Sequence, residues 1–220
     1  MQKLPEFKNQ KFFESAFIHR SFLNETKDPI ESNERLEFLG DSILSFVISD
    51  HLFKVYPDFD EGILTNLRSL VVNTKSLAKA AETLNFGKYL KLSRGEEESN
   101  GRNNESILAN TVEAFIGALF LDQGIEAVQD FLKGIIIPRI DEYVQKKVFK
   151  DPKSLLQEYV QSKKQNSPLY KVLNEEGPAH SKTFTIGVFV EDEKLGEGVG
   201  HSKQEAEEIA AKEALEKIGK

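Results

Sequence analysis

The hydrophobic period of this chain changes once, near Lys150, and that change limits its fold more than any other feature. Before it, apolar residues recur at helical spacing in Phe12–Phe17, Leu36–Phe53, Leu64–Leu84 and Ile107–Phe131. Each stretch predicts a helix with one face turned to a core. After it, Ser154–Lys164 predicts a helix, and Tyr170–Asn174, Thr183–Val190 and Gly196–Gly200 predict strands. Lys203–Ile218 predicts a closing helix with Ala206, Ile209, Ala210, Ala214 and Leu215 on one face. Asp151-Pro152 punctuates the boundary. The expected fold is α+β and multidomain: an all-α unit over residues 1–148, then a small α-β-β-β-α unit over residues 151–220.

Local signals refine this. Asn33 is expected to cap the helix beginning at Glu34, and Asn73 or Thr74 a helix before Leu77. Tyr56-Pro57-Asp58 ends the long helix, Ser93–Asn104 reads as a polar loop, and Ile137-Pro138 kinks a helix or starts a new segment. Asp192-Glu193 marks a turn between strands.

Composition excludes several function classes. With no cysteine, disulfide scaffolds, thiolate-held zinc and thiol catalysis are out. The histidines, His19, His51, His180 and His201, are too scattered for a His-rich metal site. No apolar run approaches the roughly 20 residues of a membrane span, and the N-terminus lacks the apolar core of a signal peptide. A soluble, cytoplasmic protein is expected. Net charge is −7, and acids outnumber bases on both sides of Lys150. Nucleic-acid binding would therefore depend on local patches.

Two helices carry unusual chemistry. At about 100° per residue, Leu36, Leu39, Ile43 and Val47 form the core face of the first. Glu34, Glu37 and Asp41 form a neighbouring acidic stripe. Like charges at i,i+4 usually mean a solvated face that weakens the helix slightly. Here the stripe borders the core and contains Gly40, which costs up to about 1 kcal/mol relative to alanine. Something must approach that backbone closely. In Ile107–Leu121, apolar nearly all round, Asn110, Thr111 and Glu113 are the polar exceptions. Asn110 and Glu113 share a face that continues through Ala114 and Gly117, either as a hydrogen-bonded structural pair or as a site. Oxygen donors without thiolate or clustered imidazole suit Mg²⁺ or Mn²⁺, whose natural chemistry is phosphodiester hydrolysis.

Asn33-Glu34-Arg35-Leu36-Glu37-Phe38-Leu39-Gly40-Asp41-Ser42 resembles the signature of the ribonuclease III family. Asp60-Glu61-Gly62 with Leu64-Thr65 and Arg68 resembles its next block. Glu105–Ala109, Glu113-Ala114 and Leu121–Gly124 resemble a third. Leu156-Gln157-Glu158, Gly177–His180, Ser202-Lys203 and Glu205–Ala211 resemble a double-stranded-RNA-binding domain. The resemblance spans essentially the whole chain.

It implies a homodimeric, Mg²⁺-dependent endoribonuclease, with Mn²⁺ able to substitute. It would cut double-stranded RNA, and not DNA, to 5′-phosphate and 3′-hydroxyl ends, processing ribosomal RNA precursors and structured messenger RNA. By resemblance the metal ligands are Glu37, Asp41, Asn110 and Glu113, the catalytic carboxylates Asp41 and Glu113, and the auxiliary acids Glu34 and Glu61. RNA contacts would come from Gln157 and Glu158, from Pro178 and His180, and from Ser202 and Lys203. Such domains read 2′-hydroxyls, phosphates and shape. Ser202 with Glu205 also fits a capping box. Two departures stand out. Asn110 replaces the family's Asp and loses a charge, and Gln204 and His201 occupy positions where basic residues are common. An alternative follows from Asn110: a duplex-RNA-binding protein with an impaired nuclease. A helical phosphohydrolase for small substrates fits the acids but not the second half. Phe38 falls outside the core face, so it is expected to pack across a twofold dimer interface.

Overall fold

The computed structural model describes residues 4–146, 152–178 and 181–219. The chain divides into two compact units, Met1–Phe149 and Lys150–Lys220. The first contains α1 (Gln10–Ala16), α2 (Glu34–Val55), α3 (Glu61–Val72), α4 (Thr74–Thr83), α5 (Arg94–Glu98), α6 (Glu105–Gln123), α7 (Ile125–Ile135) and α8 (Ile137–Gln145). The second contains α9 (Pro152–Ser162), β1 (Leu169–Glu176), β2 (Thr183–Val190), β3 (Glu193–Gly200) and α10 (Lys203–Lys217).

In the first unit, α6 runs through the middle with α1, α2, α4 and α7 packed round it. Its side chains show why it reads apolar all round: Val112, Ala114, Phe115, Ile116, Ala118 and Leu119 are wholly inaccessible. Phe115 sits 5.0 Å from both the Phe86 and Phe131 rings and edge-on to Phe7, contacts that add to area burial.

The structure bears out the cap at Asn73 and the new segment at Ile137-Pro138, and it moves other boundaries. The run 64–84 is two helices, because Asn73 turns extended and its side chain accepts the Ser76 N–H at 2.9 Å, capping α4. The run 107–131 breaks at Gly124, whose φ of 85° stops α6. The polar stretch 93–104 is not purely loop: Ser93 caps the short α5, and a 3-10 turn follows. Ile137-Pro138 begins α8, with proline in the first turn, where its missing N–H costs nothing. Asn33 does not cap α2 with its side chain. It is buried, and its amide donates to the Ala16 carbonyl at 3.0 Å; a buried amide takes the partner that satisfies it.

The second unit is an antiparallel sheet in order β1-β2-β3, covered on one face by α9 and α10. Ile186, Val188 and Val190 of β2 point inward. Leu156 and Val160 of α9 join Ala210, Ala211, Ala214 and Leu215 of α10 in the core. Ile209, placed on the core face by sequence, is 41% exposed. The buried stripe of α10 follows Ala206, Ala210 and Ala214, which leaves Ile209 to one side. These alanines rest on a glycine strand: a Cβ at Gly198 would collide with the Ala206 carbonyl and the Ala210 nitrogen.

Candidate active site

Helices α2 and α6 cross backbone to backbone. A Cβ at Gly40 would collide with the Glu113 carbonyl oxygen and lie 2.9 Å from the Gly117 nitrogen. One at Gly117 would strike the Leu36 carbonyl. Any side chain at either glycine would hold the helices apart. Glu37 and Asp41 flank the first glycine and Glu113 lies one turn before the second, so the crossing itself brings three carboxylates together.

Their electrostatics record that closeness. Glu113 is half-buried, and its pKa is pushed up to about 7, first by burial and then by the charges of Asp41 and Glu37. Glu37 is also held above the usual carboxylate range, by burial and by neighbouring Glu34. A hydrogen bond from Asn110 and the charge of Arg20 act in the opposite direction. Asn110 is exposed on α6, not buried in a core pair. Its amide donates to Glu37, where an aspartate would add a fourth like charge. Among the described residues, no three His, Cys, Asp or Glu side chains close round a point as a preformed metal cage. The acids are near enough to repel, but they do not converge.

Glu34 lies in the first turn of α2, exposed, accepting from the Ser32 hydroxyl at 2.8 Å and 3.7 Å from Arg20. Glu34, Glu37 and Asn110 line one hollow of about 370 Å³ with His19 and Arg20. Glu61 lies elsewhere within this chain. It begins α3, accepts from the Thr65 hydroxyl at 3.0 Å, and lines a second hollow with Phe46, Phe53 and Arg68. Phe38 is 78% exposed and borders a third hollow with Phe12, Leu39 and Leu121. Together with Phe46 and Phe53, 60% and 73% exposed, it forms an uncovered apolar stripe along α2.

Sequence reasoning missed His19 and Arg20. Spacing could not have found them, because tertiary hydrogen bonds carry them to α2: Asn33 donates to the Ile18 carbonyl at 2.8 Å and to Ala16. The His19 ring accepts the Ser21 N–H at 3.3 Å, which fixes a 3-10 turn over Arg20–Asn24.

In the second unit, Gln157 and Glu158 are exposed on α9, and Pro178 is exposed after β1. His180 lies outside the described residues. Ser202 accepts the Glu205 N–H at 3.1 Å and Glu205 accepts the His201 N–H at 2.6 Å, so the cap of α10 forms. Lys203, in the first turn, stands 3.2 Å from Glu175 and 5.5 Å from the centre of the Phe184 ring.

Residues 9–140 match the family described as Ribonuclease-III-like. The chain belongs to the ribonuclease III family. Residues 152–218 match the double-stranded RNA binding motif, and this combination fits the family throughout. Ribonuclease 3 of Bacillus licheniformis is 48% identical over 98% of this chain and 86% of its own. The nuclease domain of ribonuclease III from Campylobacter jejuni, solved in work on a region involved in its dimer formation, is 39% identical. That match covers 60% of this chain and 88% of the other, with a TM-score of 0.56. Dicer from Pichia stipitis is 28% identical over 98% of this chain and 97% of its own, with a TM-score of 0.51. Nucleases of this family are metal-dependent. Among the described residues no helix is long and apolar enough to cross a membrane.

Proposed function

We propose that this chain is a metal-dependent endoribonuclease for double-stranded RNA. Residues 1–148 would form the nuclease and dimerisation domain and residues 151–220 the duplex-binding domain. The observation that carries the reading is that Glu37, Asp41 and Glu113 lie within electrostatic reach of one another across the Gly40–Gly117 crossing. Three mutually repelling carboxylates are costly unless protonated or neutralised, and an all-oxygen donor set suits a hard divalent cation, Mg²⁺ or Mn²⁺. Glu37, Asp41 and Glu113 would hold it, with the Asn110 amide oxygen as a further donor. Such an ion supplies an activated water and neutralises charge on the phosphoryl group. Exposed Asp41 and half-buried Glu113 would orient the attack. Water adds at phosphorus and the 3′-oxygen leaves, so the ends are 5′-phosphate and 3′-hydroxyl. Glu34 and Arg20 border the strand's path. The exposed apolar stripe of Phe38, Phe46 and Phe53 supports a homodimer. Gln157, Glu158, Pro178, His180, Ser202 and Lys203 would meet the duplex, and DNA would bind poorly because it lacks 2′-hydroxyls. The work fits cytoplasmic processing of ribosomal RNA precursors and structured messenger RNA.

A binding-only protein is less well supported, because Glu37, Asp41 and Glu113 are all present and Asn110 keeps an oxygen donor. The test is a labelled RNA duplex incubated with Mg²⁺, and with Mn²⁺ if that gives no product. Discrete cleavage that falls by about a thousandfold in Glu113→Gln is expected. Intact duplex at every metal concentration rejects the nuclease reading.

A further inference from the structure

Three elements of the second unit meet at one carboxylate. Glu175, near the end of β1, places Oε2 3.1 Å from the Lys182 ammonium and Oε1 3.2 Å from that of Lys203. Lys182 lies just before β2, and Lys203 opens α10. Pairing across the sheet brings Glu175 opposite Phe184, and the Lys203 ammonium lies over that ring. The two lysines thus share one patch, each engaged by a different oxygen of the same anion. Both lysines together hold the Glu175 carboxyl below its ordinary range, Lys182 the more strongly.

We propose that Glu175 is an internal stand-in for an RNA phosphate, gathering Lys182 and Lys203 into one anion-binding patch and competing with the duplex for both. The inference rests on the duplex-binding reading of Lys203 and adds Lys182 as a second phosphate contact. The chemistry is direct. A carboxylate offering one oxygen to each ammonium has the charge and spacing of two non-bridging phosphate oxygens, and ammonium groups pair with phosphate as point charges. Exposed ion pairs contribute little to stability, so the pairing is no strong structural constraint. Its consequence is felt by a competing anion. In a chain of net charge −7, with Gln204 and His201 beside Lys203, this patch offers a duplex few cations. One acid holding two of them sets the affinity.

The test is equilibrium binding of a labelled RNA duplex to the full chain without metal, across a salt series. Parent, Glu175→Gln, Lys182→Ala, Lys203→Ala and a remote charge control, Glu216→Gln, are compared. Glu175→Gln is expected to tighten binding about threefold to tenfold and to steepen the fall of affinity with salt, because more free cations meet phosphate. Each lysine variant should weaken binding of all duplex sequences alike, and Glu175→Gln should gain nothing in a chain lacking both lysines. If both lysine variants bind like the parent, the duplex-binding reading of this patch falls, and the inference with it. If they weaken binding while Glu175→Gln gains no more than Glu216→Gln, only the inference falls. Glu175→Ala, with thermal melts of every variant, distinguishes loss of charge from loss of fold: tighter binding at an unchanged melt supports the proposal, and weaker binding at an unchanged melt overturns it.

Discussion

Both halves of the molecule use the same device, a helix pressed against glycine backbone, but they use it for different ends. In the first unit, Gly40 and Gly117 let α2 and α6 touch, and Glu37, Asp41 and Glu113 sit within a turn of those glycines. Core and site are one structure there. In the second unit, Gly196 and Gly198 let α10 lie on β3 against Ala206, Ala210 and Ala214. The polar groups proposed to meet RNA stand on surfaces away from that contact: Gln157 and Glu158 on α9, Lys203 at the tip of α10. A metal site needs several acids near one another, which a tight crossing of two helices supplies. A duplex needs separated contacts on a rigid frame. The two units should therefore fail differently when mutated.

The harshest way to break the comparison is to add one methyl group at each crossing. Gly40→Ala drives Cβ into the Glu113 carbonyl, and overpacking of backbone against backbone should cost roughly 3 kcal/mol or more. Cleavage should vanish and the first unit should melt early, while the second melts as before. Gly198→Ala should do the reverse, lowering the melt of the second unit and sparing the first. Thermal denaturation followed by probes in each unit checks both, and a single shared transition in both variants would show that the units are not independent.

Chemistry without refolding comes next. Glu113→Gln preserves shape but removes the most perturbed acid of the cluster. Cleavage should fall by about a thousandfold, in the range for loss of a positioned acid or base, with duplex affinity unchanged. Rates and metal-free binding measured together test this; a matching loss of binding would mean that Glu113 supports the fold of the RNA path instead.

Asn110→Asp sharpens the account of the acid cluster. It removes a hydrogen bond to Glu37 and adds a like charge, so without metal the variant should melt earlier than the parent. With Mg²⁺ the same charge favours the ion, since unit charges about 4 Å apart interact by about 4 kcal/mol at an effective dielectric near 20, before desolvation is subtracted. The metal concentration for half-maximal cleavage should drop by about tenfold and the melting deficit should close. A variant that melts early and cuts no better at any metal level would place Asn110 outside the metal's reach.

The smallest effect belongs to the second unit. Gln157→Ala removes one exposed polar contact, worth about 1 kcal/mol for a typical hydrogen bond. Duplex affinity should weaken about fivefold with no change in melting temperature. A shifted melt would show that function and core are not separable there either.

The amino-acid sequence by itself determines much of this. The change of period near Lys150 places the helical and mixed units, because side-chain direction repeats every 3.6 residues in a helix and every two in a strand. The acidic stripe beside Gly40, and Asn110 with Glu113 above Gly117, announce a close crossing, since glycine inside a helix is otherwise a cost. The cap signal at Asn73 divides a run that periodicity alone leaves whole, whereas the break at Gly124 escapes because an apolar period can run on across a bend. Asn33 defeats a local reading because a cap and a buried tertiary hydrogen bond call for the same amide. What only the tertiary structure decides involves partners far apart in the chain. It brings Arg20 to Glu34 and Glu37, sends Glu61 to a separate hollow, and sets Glu175 between Lys182 and Lys203. Each depends on how elements approach one another, and a local pattern carries no record of that distance.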